Sequence, residues 1–148
     1  MSNSGIPKEL TNTTFTFEYN DIKRLEYLIT VKKIKIIKME VIRNIVPKNN
    51  FLKKVREIAN KNNCILIFDE CTTGFRETLG GIHKIYEVNP DIAIFGKAIG
   101  NGYAITAVIG KEKIMKESES SFISSTFWSE RTGPTAALAT IDYMKKNK

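Results

Sequence analysis

Two short apolar runs in this chain end in charge. Cys64-Ile65-Leu66-Ile67-Phe68 leads straight into Asp69-Glu70, and Ile92-Ala93-Ile94-Phe95 leads through Gly96 into Lys97. The first run has no polar alternation, which suits a strand buried on both faces of a parallel sheet. Two strands that deliver an acid and an amine at the same end would place Asp69 and Lys97 beside one crevice, where open α/β sheets hold their ligands. The Gly96–Tyr103 connection is shorter than the roughly dozen residues a parallel crossover takes. The following strand, Ala104–Ile109, is therefore expected to run antiparallel beside its predecessor.

The remaining pattern is one of helices alternating with strands. Residues 1–19 are polar, rich in Ser, Thr and Asn, and form an irregular lead-in with room for a short strand at Thr14–Phe17. Asn20 or Asp21 caps a helix whose apolar stripe is Ile22, Leu25, Leu28 and Ile29. A β-branched strand then ends near Glu40. A second helix carries Phe51, Leu52, Val55, Ile58 and Ala59 and stops at Asn62-Asn63. Thr72–Gly81 reads as a glycine-rich loop, with a short helix over Lys84–Val88. Asn89-Pro90 turns the chain into the strand Asp91–Phe95. Lys111–Glu117 reads as helix and Ser118–Ser125 as a serine-rich loop or short strand. A last helix opens at Gly133-Pro134 with Ala137, Leu138, Ile141 and Met144 facing inward. The class is α/β, one unit without internal repeat or domain boundary.

Composition narrows the function classes. At 148 residues, 42% hydrophobic and 26% charged, the chain reads as one soluble globular unit. The net charge of +7 comes without aromatic residues interleaved among the basic ones, so a lysine-rich solvated face is expected rather than a nucleic-acid surface. Two cysteines and a single histidine, His83, offer neither a metal site nor a disulfide framework and point to a reducing cytoplasm. No signal peptide and no membrane-spanning run is evident. The hydrophobic run ending in Asp69-Glu70 also has the form of a Walker B strand, but that chemistry needs a phosphate loop upstream. The only glycine before Gly74 is Gly5.

An acid and an amine at one crevice are what a pyridoxal phosphate enzyme needs. Several motifs together carry a resemblance. They are Leu66–Glu70 with Thr73-Gly74-Phe75-Arg76, Asn89-Pro90-Asp91-Ile92, and Phe95–Ala98 with Gly100 and Gly102, alongside Met39-Glu40 and Arg43-Asn44. The chain from about Tyr19 onward resembles the class III aminotransferases. Leu79-Gly80-Gly81 and Ser125-Thr126 before Gly133-Pro134 lean toward the glutamate-1-semialdehyde aminomutase-like branch.

The resemblance implies a mostly parallel sheet of the type I large-domain kind, truncated, and pyridoxal 5′-phosphate as cofactor. Lys97 matches the Schiff-base lysine, buried and lowered in pKa. Asp69 matches the carboxylate paired with the pyridine nitrogen. Cys71 stands where the family has a valine against the ring. Thr126 matches a threonine that reaches the cofactor phosphate of the partner subunit in a homodimer. Glu40, Arg43 and Glu70 are expected to be structural. His83 and Tyr103 are expected in loop and packing roles, and Trp128 as an interface anchor or substrate wall. Small-molecule amino donors and acceptors are the implied partners, through transamination or the aminomutase reaction. The phosphate-binding turn, the aromatic that stacks on the cofactor and the C-terminal small domain of the family are expected to fall outside residues 1–148. That leaves a partial gene product, one piece of a split enzyme, or a remnant, and a non-catalytic assembly partner as the rival function.

Overall fold

The computed structural model describes residues 5–147. Helix α1 (Ile22–Val31) begins where the Asp21 carboxylate accepts the N–H of Arg24 at 2.9 Å, a side-chain cap that satisfies one free donor of the first turn. Its buried residues are Leu25, Leu28 and Ile29. Strand β1 (Ile36–Glu40) follows, then helix α2 (Phe51–Lys61), which buries Phe51, Leu52, Val55 and Ala59. Asn63 takes up left-handed backbone (φ +52°), and the N–H of Cys64 bonds to the Ala59 carbonyl at 2.8 Å. That closure ends α2 and turns the chain directly into strand β2 (Ile65–Asp69).

Strands β3 (Ile92–Phe95) and β4 (Ala107–Gly110) complete a four-stranded sheet of order β1-β2-β3-β4. The first three strands are parallel, and β4 runs antiparallel to β3, as the short connection requires. After β4 come a one-turn helix, α3 (Glu112–Met115), a 3₁₀ turn (Lys116–Ser120) and the closing helix α4 (Thr132–Lys146).

The core lies on one side of the sheet. Ile37 and Met39 of β1 and Leu66 and Phe68 of β2 meet Leu25, Ile29, Phe51, Leu52 and Val55 of the two helices. Ala93 and Phe95 of β3 meet Ile99, in the turn that follows β3, and Ala137 of α4 in a second cluster. The alternate residues, Lys38, Ile65, Ile67, Asp69 and Ile94, face the other side and are half-buried or exposed. β2 is thus not buried on both faces as its composition suggests, because both packing helices sit on the same face.

Other differences have local causes. Thr14–Phe17 forms no strand; Phe17 and Tyr19 pack onto the core from irregular backbone, with the Tyr19 hydroxyl donating to the Val41 carbonyl. In place of the short helix expected over Lys84–Val88 there is a 3₁₀ turn at Ile82–Lys84. On α4, Gly133 and Ala137 are buried while Leu138 is 62% exposed. One residue is a rotation of about 100° on a helix, enough to carry Leu138 off the packed face.

Asp91 ties the sheet together at the end opposite Asp69. Its Oδ2 accepts from the N–H of Leu66 at 2.8 Å and from Arg56 at 2.9 Å, and Lys111 lies 2.7 Å from Oδ1. Burial disfavours its charge, but the Leu66 N–H, Lys111 and Arg56 outweigh that and hold the carboxyl below the usual aspartate range. Asp91→Asn leaves the half-buried Arg56 guanidinium without its counter-ion and should cost about 3 kcal/mol in urea denaturation at pH 7. A pKa depressed in the folded state stabilises above the ordinary aspartate value of about 4 and is lost as pH falls through the folded value. The gap between the two chains should therefore shrink on acidification below about pH 4. A variant as stable as the parent at pH 7 would show that Asp91 is not the tie.

Candidate functional site

Parallel pairing in register brings the two sequence motifs together. Asp69, the last residue of β2, is paired with Ile94 of β3, so Lys97 emerges just beyond the same sheet edge. The segment after β2 then links them. Asp69 Oδ1 accepts the N–H of Cys71 at 3.1 Å, and the Lys97 ammonium donates to the Thr72 hydroxyl at 2.8 Å. The Cys71 thiol lies against Gly96, where a Cβ on the glycine would approach its sulfur to 3.4 Å.

Asp69 is half-buried, and its second oxygen, Oδ2, lies 2.9 Å from the Lys38 ammonium. Burial disfavours the ionised form, but Lys38 and the Cys71 N–H prevail and hold the carboxyl below its ordinary range. Burial, then the neighbouring carboxylate of Asp69, raises the Cys71 thiol, so it stays protonated at neutral pH.

Lys97 is exposed, and this corrects the expectation of a buried amine. Its backbone is left-handed (φ +49°), a region that a side chain with a Cβ enters at a cost of order 1–2 kcal/mol. The following turn is built around two glycines for different reasons. Gly102 takes φ +107°, whereas a Cβ on Gly100 would collide with the Tyr103 carbonyl oxygen.

Glu70, next to Asp69, is wholly buried and holds the loop beneath the site. Oε2 accepts from the Thr73 hydroxyl at 2.5 Å and the Ile82 N–H at 3.1 Å; Oε1 accepts from the His83 N–H at 3.0 Å and lies 2.8 Å from the His83 ring. Glu70 and His83 thus bond to each other and to the backbone beneath the site. Burial opposes ionisation, but the His83 ring and the Thr73 hydroxyl keep the Glu70 carboxyl below the usual range.

A cleft of about 570 Å³ opens beside Lys97, lined also by Tyr103, Ile105, Phe127, Trp128 and Glu130. Its size is that of a small-molecule site. Tyr103, at 58% exposure, is a wall of this cleft rather than a packing residue. Thr126 belongs to the same turn as Phe127 and Trp128 but is exposed and does not line the cleft. Glu40 is half-buried and lies 3.5 Å from Arg43, a peripheral pair. Sequence reading missed Lys38 and Thr72. Thr72 carried no signal, and Lys38 is one of two lysines, with Lys35, in an isoleucine-rich run that does not set it apart.

A family model for class-III aminotransferases matches residues 44–148, from just after β1 through α4. The chain belongs to the class-III aminotransferase family. Among relatives of this class-III chain, the 3-aminobutyryl-CoA aminotransferase of Cloacimonas acidaminovorans is 39% identical over 97% of it. The glutamate-1-semialdehyde 2,1-aminomutase of Sulfolobus acidocaldarius is 38% identical, also over 97%. The class-III chain spans only 37% and 36% of those two proteins. In structure it resembles the acetylornithine aminotransferase of Elizabethkingia anophelis (TM-score 0.81, 30% identity, 90% of this chain and 35% of that one). The ornithine δ-aminotransferase of Plasmodium falciparum (TM-score 0.84, 21% identity, 93% and 38%) shares the fold.

The left-handed backbone at Lys97 makes a prediction independent of any ligand. Lys97→Gly should be more stable than Lys97→Ala by about 0.5–1 kcal/mol in chemical denaturation, because both lose the Thr72 contact and only glycine relaxes the turn. Equal stability, or alanine the more stable, would show that the turn stores no such strain.

Proposed function

We propose that this chain carries the lysine-and-acid part of a pyridoxal 5′-phosphate site serving amino-group transfer. The observation that carries the reading is that Asp69 and Lys97 leave neighbouring parallel strands at one edge and are linked through Cys71 and Thr72. The residues fit such a cofactor. Asp69 is an ionised, half-buried carboxylate suited to a ring nitrogen that carries a proton. Lys97 is exposed and its side-chain partner is a neutral hydroxyl rather than a carboxylate, so no ion pair holds it back from an incoming aldehyde.

Bound pyridoxal phosphate supplies an electron sink for the bond broken at the substrate carbon that carries the amine. Lys97 would hold the cofactor and, once released, move the proton at that carbon. Asp69 would keep the proton on the ring nitrogen. Cys71, as a small neutral thiol beside Gly96, would pack against the ring. Phe127 and Trp128 would narrow the mouth of the cleft and limit water.

Transfer between two molecules and return of the amine to the same skeleton require the same lysine and acid. We therefore assign small amino donors and acceptors as the substrate class. By family resemblance, Thr126 reaches the cofactor phosphate of a second copy in a homodimer, and its exposed neighbours Phe127 and Trp128 suit such a contact. The two free cysteines suit a reducing cytoplasm, where we place the chain. No helix among the described residues is long and apolar enough to cross a membrane.

Titrating the chain with pyridoxal phosphate should produce the visible absorbance band of a lysine-bound cofactor. Lys97→Ala should abolish it, and Asp69→Asn should weaken affinity by about tenfold to a hundredfold, the value of one charge-assisted hydrogen bond. A band that survives Lys97→Ala, or no band in the parent, would instead favour a non-catalytic assembly partner.

A further inference from the structure

The second oxygen of Asp69 is already engaged, and by a cation the reaction does not require. Lys38 lies in the middle of β1, between Ile37 and Met39, which point into the core. It therefore faces the open side of the sheet together with Glu40 and Asp69. Register pairs Lys38 with Ile67 and Glu40 with Asp69, so Lys38 is the diagonal neighbour of Asp69, within reach of a long side chain. Glu40 and Asp69 stand directly opposite each other with like charge. Arg43 lies 3.5 Å from Glu40, and Lys38 settles on Asp69 at 2.9 Å.

We propose that Lys38 is a positioning residue that makes Asp69 a shared counter-ion, so that a cofactor ring nitrogen must divide the carboxylate with a resident ammonium. The inference rests on the pyridoxal phosphate reading above and adds a tuning element to it. Two cations around one carboxylate repel each other, so the acid holds a ring proton less firmly than it would alone. The Cys71 N–H already takes Oδ1, which leaves no oxygen of Asp69 without a partner. Lys38 is itself more than half exposed, so water screens the competition and its effect is modest rather than absolute. The pair also holds the Lys38 ammonium more firmly than an ordinary lysine through the Asp69 hydrogen bond.

The test compares pyridoxal phosphate with its deaza analogue, in which the ring nitrogen is replaced by CH, on the full chain and on Lys38→Met, Lys38→Gln and Lys38→Arg. Preference for the natural ring should rise about two- to fivefold in the Met and Gln variants, the range of a half-exposed ion pair, and stay at the parent value in Lys38→Arg. A merely structural lysine would change both affinities together and leave the preference unmoved, and that result would overturn the inference alone. Binding of neither compound to any chain would overturn the cofactor reading and this inference with it. A readout without cofactor accompanies them. The ¹³C carboxyl titration of Asp69 should move up toward the ordinary aspartate range in Lys38→Met, and an unmoved titration would also overturn the inference.

Discussion

Parallel pairing of β2 with β3 is the constraint on which the site depends. Parallel strands end at the same edge, so the last residue of each is delivered to a common place with no further folding instruction. The pairing is set at both ends. Asp91 reaches back to the Leu66 N–H at the start, and the N–H of Glu70 bonds to the Ile94 carbonyl at the finish. A slip of one residue would send Asp69 to the core face among Leu66 and Phe68, where an ionised carboxylate has no partner. Register, burial and chemistry are thus one requirement.

The two neighbours Asp69 and Glu70 show how alternation divides labour. Adjacent strand residues point to opposite sides. Asp69 faces the open side and its charge is balanced by Lys38, whereas Glu70 is sealed inside and satisfied by Thr73, Ile82 and His83. The buried carboxylate orders the loop that begins with Cys71 and Thr72, and those residues contact Asp69 and Lys97. Close approaches at Gly74 and Gly81 leave no room for a Cβ between this loop, Phe95 and His83. Rigid support on one side and an exposed, strained lysine on the other is the arrangement expected where a side chain must be presented to a ligand.

The strands, the antiparallel β4, the capped α1 and the Asn63 stop were legible in the sequence because each rests on a local signal: apolar periodicity, a capping aspartate, an asparagine able to enter the left-handed region. Asp69 and Lys97 were legible as a pair because each ends a strand. What was hidden depends on tertiary placement. An apolar run such as Cys64–Phe68 looks alike whether one or both faces are covered, and only the helices' position shows which. Leu138 fits the apolar stripe of α4, but the helix packs through Gly133 and Ala137. The exposure of Lys97 and its bond to Thr72 are set by a loop whose course Glu70 dictates from below. Asp91 reads only as the first residue of a strand and proves to be the tie between two strands and α2.

Lys97 has to be the amine that receives the cofactor in a chain crowded with other lysines. Incubating the chain with pyridoxal phosphate, reducing with borohydride and mapping the pyridoxyl-labelled peptides measures this directly. At limiting cofactor the label should concentrate on Lys97 and spread when Asp69 is replaced by alanine. Label distributed over surface lysines such as Lys53, Lys113 and Lys145, with Lys97 no more modified than they are, would contradict it.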